Sequence, residues 1–234
     1  MSNIVISGYY GFANAGDEAM LTAIIKALRS EDGSVNITVI SGNPEATKKL
    51  HKVNSIHRFS ALDIIKTMSK ADLLISGGGS LLQDVTSKRS LLYYLAILTT
   101  GTILGKKVML FAQGIGPIKS QFMRKLTKYV CSGVDLITVR DNDSLYELRR
   151  LGVPERKVEL TADAVLTMPQ ESKEFGRRLL DKYFVPDNKM LIAVAVRKWR
   201  DDDSYLLENF IEPDFSNGPV DPSVFIPSSS EFVS

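Results

Sequence analysis

Seven short apolar runs, nearly unbroken by polar residues and separated by helix-length amphipathic segments, confine this chain to one fold class. They cover residues 4–7, 36–40, 72–76, 108–112, 136–139, 158–161 and 191–196. A strand with one wet face alternates apolar and polar residues, whereas unbroken runs are what a parallel sheet covered on both faces requires. The intervening segments supply the crossovers that parallel neighbours need. Met20, Leu21, Ile24, Ile25 and Leu28 recur at helical spacing, with Asp17 and Glu18 in the first turn, where negative charge suits the helix dipole. Residues 61–70 read as a shorter amphipathic helix, with a brief strand at 56–59 before it. Leu145, Leu148 and Leu151 stripe a helix that begins near Asn142 and is stopped by Gly152 and Pro154. The pattern predicts an α/β chain: a Rossmann-like, doubly wound parallel sheet with right-handed crossovers.

Composition narrows the function classes. The 234 residues are 44% apolar, enough for a sizeable core, and 29 basic against 27 acidic residues leave a net charge of +2. So even a balance gives no electrostatic reason to expect nucleic acid as a partner. The single Cys131 cannot form an internal disulfide, which points to a reducing cytoplasm, and its place in an apolar-periodic helix makes it a core residue. Met1-Ser2-Asn3 leads at once into the first strand, so no leader peptide is expected. The longest greasy run, 91–104, is interrupted by Thr99, Thr100, Gly101 and Thr102 and falls short of the ~20 residues that span a bilayer. It reads as a buried helix.

Three strands end in glycine-rich turns. Gly8-Tyr9-Tyr10-Gly11-Phe12-Ala13-Asn14-Ala15-Gly16-Asp17-Glu18 follows the first, Gly77-Gly78-Gly79-Ser80-Leu81-Leu82-Gln83-Asp84 the third, and Gln113-Gly114-Ile115-Gly116-Pro117 the fourth. Glycine lets a backbone turn tightly and approach a ligand, and the exposed N–H groups of such a turn can hold an anion. In an open α/β sheet, ligands sit in the crevice outside the strand ends, where these turns fall. Together they point to an enzyme acting on small molecules.

Several familiar chemistries are missing from the pattern. Gly8, Gly11 and Gly16 do not follow the dinucleotide spacing, and the second strand ends in Ser41-Gly42-Asn43 with no acidic residue for a ribose. There is no phosphate-binding loop of the GxxxxGK type and no serine-nucleophile elbow. The two histidines, His51 and His57, have no cysteine neighbour and read as solvated or packed. No metal or cofactor is expected.

Charged residues at strand ends are the remaining candidates. Asp17 closes the first glycine turn and opens a helix. Arg140 directly follows a strand and precedes Asp141, a helix cap; an arginine there can hold a phosphate or carboxylate through a bidentate fork. Asp163 occupies the equivalent position one strand later. Asp84 either meets a sugar hydroxyl or caps the next element.

Taken in order, Gly11-x-x-Asn14-x-Gly16-Asp17-Glu18, the Gly77–Asp84 motif, Gln113-Gly114-Ile115-Gly116-Pro117, Val139-Arg140-Asp141-x-x-Ser144 and Ala162-Asp163 closely resemble the polysaccharide pyruvyl transferase family, above all its bacterial cell-wall, S-layer-anchoring branch. The similarity covers about residues 1–200. It implies a two-domain fold like that of GT-B glycosyltransferases, with the active site between two Rossmann-like halves. It also implies transfer of the enolpyruvyl unit of phosphoenolpyruvate onto two hydroxyls of a sugar, as a cyclic ketal, with release of phosphate. The acceptor in that branch is an N-acetylmannosamine unit of a lipid-linked polymer precursor, and the ketal's charge is what surface-layer homology domains recognise. The setting is cytoplasmic, peripheral at the inner face of the membrane.

On this reading Asp17 is the acid/base group. Arg140 clamps the donor, while Asn14, Gly16, Gly77, Gly78, Gly79, Ser80, Gln83, Asp84, Gln113, Gly114, Gly116 and Asp163 line the substrate crevice. Residues 1–190 form the N-terminal domain, 191–210 the start of a second, and 211–234, rich in proline and serine, a disordered tail. The family's second-domain histidine and lysine have no counterpart here, so a truncated chain is the expectation. Two other readings stay open: a non-catalytic fragment that binds acceptor or pairs with another chain, including a homo-oligomer, and a glycosyltransferase using a nucleotide sugar.

Overall fold

The computed structural model describes residues 2–182, which fall into two compact units divided after Met168. In the first unit seven strands form one parallel sheet: β1 (Asn3–Ser7), β2 (Asn36–Ser41), β3 (Asn54–His57), β4 (Leu73–Gly77), β5 (Lys107–Gln113), β6 (Leu136–Val139) and β7 (Val158–Leu160). Their spatial order is β3-β2-β1-β4-β5-β6-β7. The chain builds outward from β1 to one edge, crosses back beside β1, and builds to the other edge.

Helices α1 (Ala15–Glu31) and α2 (Pro44–His51) follow the first two strands. Helix α3 (Ala61–Ser69) returns the chain to β4, and α4 (Lys88–Ile103), α5 (Gln121–Gly133) and α6 (Asn142–Leu151) join the remaining strands. Right-handed crossovers made in opposite directions place their helices on opposite faces. The core divides accordingly. Val5, Ile40, Leu74, Val108, Leu110, Ile137 and Val139 pack with the residues of α3–α6. Ile4, Ile6, Ile37, Val39 and Ile75 pack with Met20, Leu21, Ile24 and Ile25 of α1. Successive strand residues thus serve opposite faces, which is why the runs read as continuous.

Most elements stand where the sequence places them, and the differences are local. The brief strand expected at 56–59 is β3, two residues earlier, so Arg58 stands past its end. Helix α2 was not foreseen, although Asn43-Pro44 carries the start signal: Asn43 Oδ1 accepts the Ala46 N–H at 3.2 Å, and proline occupies the first turn. The greasy run at 91–104 lies mostly in α4, with Leu91, Leu95 and Leu98 buried. No helix among the described residues is long and apolar enough to cross a membrane. Cys131 on α5 is fully buried, and burial pushes its thiol up to about 12, the behaviour of a core residue. The described part of the second unit contains α7 (Lys173–Lys182), which the sequence pattern had not marked. Arg177 and Asp181 pair within it at 2.7 Å. The strand at 191–196, the boundary near 190 and the tail at 211–234 lie outside the described residues.

The order of strand addition reverses between β1 and β4, and this switch point is where the first and second glycine turns meet. Sterics explain the glycines. A Cβ on Gly77 would lie 2.6 Å from Ile24 Cδ1 and 2.7 Å from Tyr10 Oη, and one on Gly78, at φ +58°, would collide with Met20 Sδ. The core face of α1 therefore rests directly on the turn after β4. Gly78→Ala combines a left-handed alanine with an overpacked contact and should cost about 2–4 kcal/mol. The measurement is the urea midpoint at unchanged m-value, and the combined loss with Met20→Ala should be smaller than the sum of the two single losses.

Candidate functional site

The site begins with an irregularity in β5. Leu110 faces Ile137 and Gln113 faces Val139, so residues 111 and 112 together oppose Thr138 alone. This is a β-bulge, with Ala112 at φ +48° and its N–H donated to Thr138 Oγ1 at 2.7 Å. The bulge turns the wholly buried Gln113 towards β4. Its Nε2 donates to Gly78 O at 2.7 Å and Gly79 O at 3.3 Å, while its Oε1 accepts Ser76 Oγ at 3.1 Å. The backbone continues the link: Gly114 N–H donates to Gly79 O and Gly116 N–H to Leu82 O, both at 2.8 Å. Leu82 and Ile115 pair as an isolated parallel bridge. The second and third glycine turns are thereby laced into one floor.

Functional groups flank this floor. A Cβ on Gly79 would lie 3.1 Å from Asp17 Oδ1, so the half-buried Asp17 carboxylate in the first turn of α1 borders the triple glycine. One residue on, Ser80 Oγ accepts Arg140 Nη2 at 3.2 Å. Arg140 Nη1 donates to Asp163 Oδ2 at 2.9 Å, and its Nε lies 3.6 Å from Asp141 Oδ2. The guanidinium is held by three neighbours yet keeps 28% of its side chain exposed. Gly114 gives it room, since a Cβ there would lie 2.6 Å from Ser80 Oγ and 3.2 Å from Arg140 Nη2. Asp17, Gly79, Ser80, Arg140 and Asp163 thus follow one another along the strand ends. A cavity of about 330 Å³ opens beside them, lined by Ser80, Gly114, Gly116, Asp141, Ser144 and Glu147 among others. Asp141 caps α6 through Ser144 N–H at 2.8 Å. Burial alone would raise its carboxyl, but Ser144 and Arg140 hold it below the ordinary carboxylate value.

Other candidate residues have structural partners. Asn14 Oδ1 caps α1, accepting Gly16 N–H at 3.1 Å and Asp17 N–H at 3.4 Å. Gln83 Oε1 accepts the N–H groups of Val85 and Thr86, and its amide donates to Thr86 Oγ1, so it shapes its own turn. The next element after Asp84, α4, is capped by Ser87 Oγ and not by Asp84. Asp84 is buried, and its two oxygens accept Lys119 N–H and Ser120 N–H, each at 2.8 Å, at the approach to α5.

One buried pair escaped the sequence reading. Glu18 Oε2 lies 2.7 Å from His51 Nε2, and Glu18 Oε1 accepts Gly11 N–H at 2.8 Å, tying the first glycine turn to α2. In the sequence Glu18 offers only a helix-dipole charge, and its partner is 33 residues away.

Burial raises the Asp84 carboxyl, but the two backbone donors, aided by Lys88 and Lys119, outweigh it and hold it below its ordinary 3.8. Its contribution to stability is therefore present above that value and lost as pH falls through the lower folded value. Asp84→Ala should cost about 1.5–3 kcal/mol at neutral pH, as loss of hydrogen bonds to a charged group does. In urea titrations from about pH 7 to pH 3, the gap between the two proteins should narrow only below about pH 4.

No curated protein matches the chain by sequence. Its fold is shared with Anabaena HepE, solved with UDP-glucose, at a TM-score of 0.58 and 12% identity over 90% of this chain and 57% of that one. A glycosyltransferase from Rickettsia africae matches at 0.53 and 15% identity, over 90% and 57% respectively. A UDP-GlcNAc 2-epimerase from Neisseria meningitidis, solved with UDP-GlcNAc, matches at 0.52 and 14%, over 82% and 56%. The chain spans little more than half the length of these structures. At such identities the likeness is one of fold, and it is the fold class expected of the sequence. The family described as polysaccharide pyruvyl transferase matches residues 14–221, a span holding every strand-end candidate from Asn14 to Asp163, and the chain belongs to that family.

Proposed function

We propose that the chain supplies the strand-end face of a site that moves the pyruvyl unit of phosphoenolpyruvate onto a cell-wall polysaccharide precursor. The observation that carries the reading is Arg140, fixed between Asp163 and Ser80 beside the 330 Å³ cavity, with Asp17 across the Gly79 turn. The donor offers a phosphate and a carboxylate, and a planar guanidinium recognises either in bidentate fashion. Its methylene carbon gains a proton to become a methyl group, leaving a cationic centre that one sugar hydroxyl attacks. The second hydroxyl then displaces phosphate and closes the ketal, so two hydroxyl protons are lost, one balancing the methyl group and one the released phosphate. Asp17 is the group we assign to proton transfer at the acceptor hydroxyl. The acceptor class that best fits the sequence motifs is the lipid-linked, N-acetylmannosamine-containing precursor of the S-layer-anchoring branch, met at the inner face of the membrane.

The test is phosphate release from phosphoenolpyruvate in the presence of such an acceptor. Arg140→Ala should raise KM for the donor by about 10–100-fold through loss of charge-assisted hydrogen bonds. Asp17→Asn should lower kcat by about 100-fold or more with little change in donor KM. Unchanged donor kinetics in Arg140→Ala would remove that assignment. Acceptor binding without phosphate release would leave the chain a binding role alone. The UDP sugars held by the fold relatives supply the competing donor class, and saturable UDP-glucose binding with indifference to phosphoenolpyruvate would overturn the pyruvyl reading.

A further inference from the structure

A second arginine at a strand end has no part in the chemistry above. Arg58 directly follows β3, and its backbone N–H donates to Ser41 O at 2.9 Å, fixing it beside the end of β2. Three rings from three segments surround its guanidinium. The central carbon lies 4.5 Å from the ring centre of Tyr93 on α4, 5.0 Å from Phe59 and 5.2 Å from Phe12 in the first glycine turn. Tyr93 also donates its hydroxyl to Arg58 O at 3.2 Å. Ring faces hold a guanidinium plane by cation–π attraction but do not neutralise its charge. Among the described residues no carboxylate pairs with Arg58, and its Nε is buried without a hydrogen-bond partner.

The neighbouring Tyr94 repeats the pattern. It is 2% exposed, packs edge-on against Tyr93 with ring centres 5.1 Å apart, and its hydroxyl is also buried without a partner. Burial pushes its phenol up against the opposing pull of Arg58, so at neutral pH the group is a protonated donor. Buried donors without acceptors are costly, and native proteins keep few of them. Two that both pack on the Tyr93 ring, one of them cationic, describe a site prepared for an anion. The rim is open, because Phe12 and Phe59 are 41% and 73% exposed.

We propose that Arg58 and Tyr94 form an oxyanion subsite for a substrate phosphate or carboxylate, walled by Phe12, Phe59 and Tyr93. The inference rests on the pyruvyl-transfer reading for its two sources: phosphoenolpyruvate itself, or the phosphate link of a lipid-borne acceptor.

The experiment is isothermal titration of the 234-residue chain with phosphoenolpyruvate and, separately, with inorganic pyrophosphate, alongside thermal melts. Tyr94→Phe deletes an unsatisfied hydroxyl, so its Tm should stay level or rise while affinity for at least one probe falls about tenfold. Arg58→Gln should weaken the same probe by about 10–100-fold. Loss confined to pyrophosphate assigns the subsite to the acceptor's phosphate, and loss for phosphoenolpyruvate assigns it to the donor in place of Arg140. Binding of neither probe by the unaltered chain, or equal binding by both variants, overturns the subsite. Phosphoenolpyruvate binding that needs Arg140 but neither Arg58 nor Tyr94, with pyrophosphate unaffected, overturns it and leaves pyruvyl transfer standing. Arg58-dependent pyrophosphate binding by a chain indifferent to phosphoenolpyruvate sustains the subsite where the pyruvyl reading has failed.

Discussion

The buried carboxamide of Gln113 holds the strand-end region together. It reaches from the bulged end of β5 to the carbonyls of Gly78 and Gly79 and to the hydroxyl of Ser76, and so sets where the triple-glycine turn lies. Ser80 takes its position from that turn, which also borders the Asp17 carboxylate, and Arg140 takes part of its own from Ser80. A side-chain amide suits the task because it donates and accepts at once, matching a carbonyl pair on one side and a hydroxyl on the other. Leucine of similar volume would strip this partner from the Gly78 carbonyl and the Ser76 hydroxyl in a dry environment, a far heavier penalty than the loss of an exposed hydrogen bond.

Electrostatics at the site is balanced locally. Arg140 stands between Asp163 and Asp141, and the sheet presents it at the far end from Arg58, which has aromatic faces for neighbours. The two arginines therefore differ in character. One is held by carboxylates and positioned for directional contact, whereas the other is half-buried among aromatic rings, with no carboxylate paired to it among the described residues.

The sheet and most of its helices were legible because period-two and period-3.6 patterns are local, and the unbroken runs at 4–7 and 72–76 left little choice of fold. Glycine turns at strand ends were legible for the same reason. What the sequence hid depends on distance. Asp84 holds the approach to α5 through residues 35 and 36 positions away, and Glu18 finds His51 only after β2 and α2 have been laid down. Arg58 was hidden by register: read inside a strand at 56–59 it is one more alternating residue, and only the end of β3 at His57 exposes it as a strand-end cation. Gln113 was recognisable as part of a motif, but its direction depends on the bulge at Ala112, which no side-chain pattern announces.

The isolated pairing of Leu82 with Ile115 extends this lacing past the regular ends of β4 and β5. Loops over an α/β crevice ordinarily open at little cost, independently of the sheet beneath them. Here the turns after β4 and β5 share backbone hydrogen bonds with each other and with the strands, so they open only together with the sheet's central pair. Their amides should exchange with solvent at rates closer to those of the core than of a surface loop. Opening of this crevice floor is thereby bound to opening of the sheet itself.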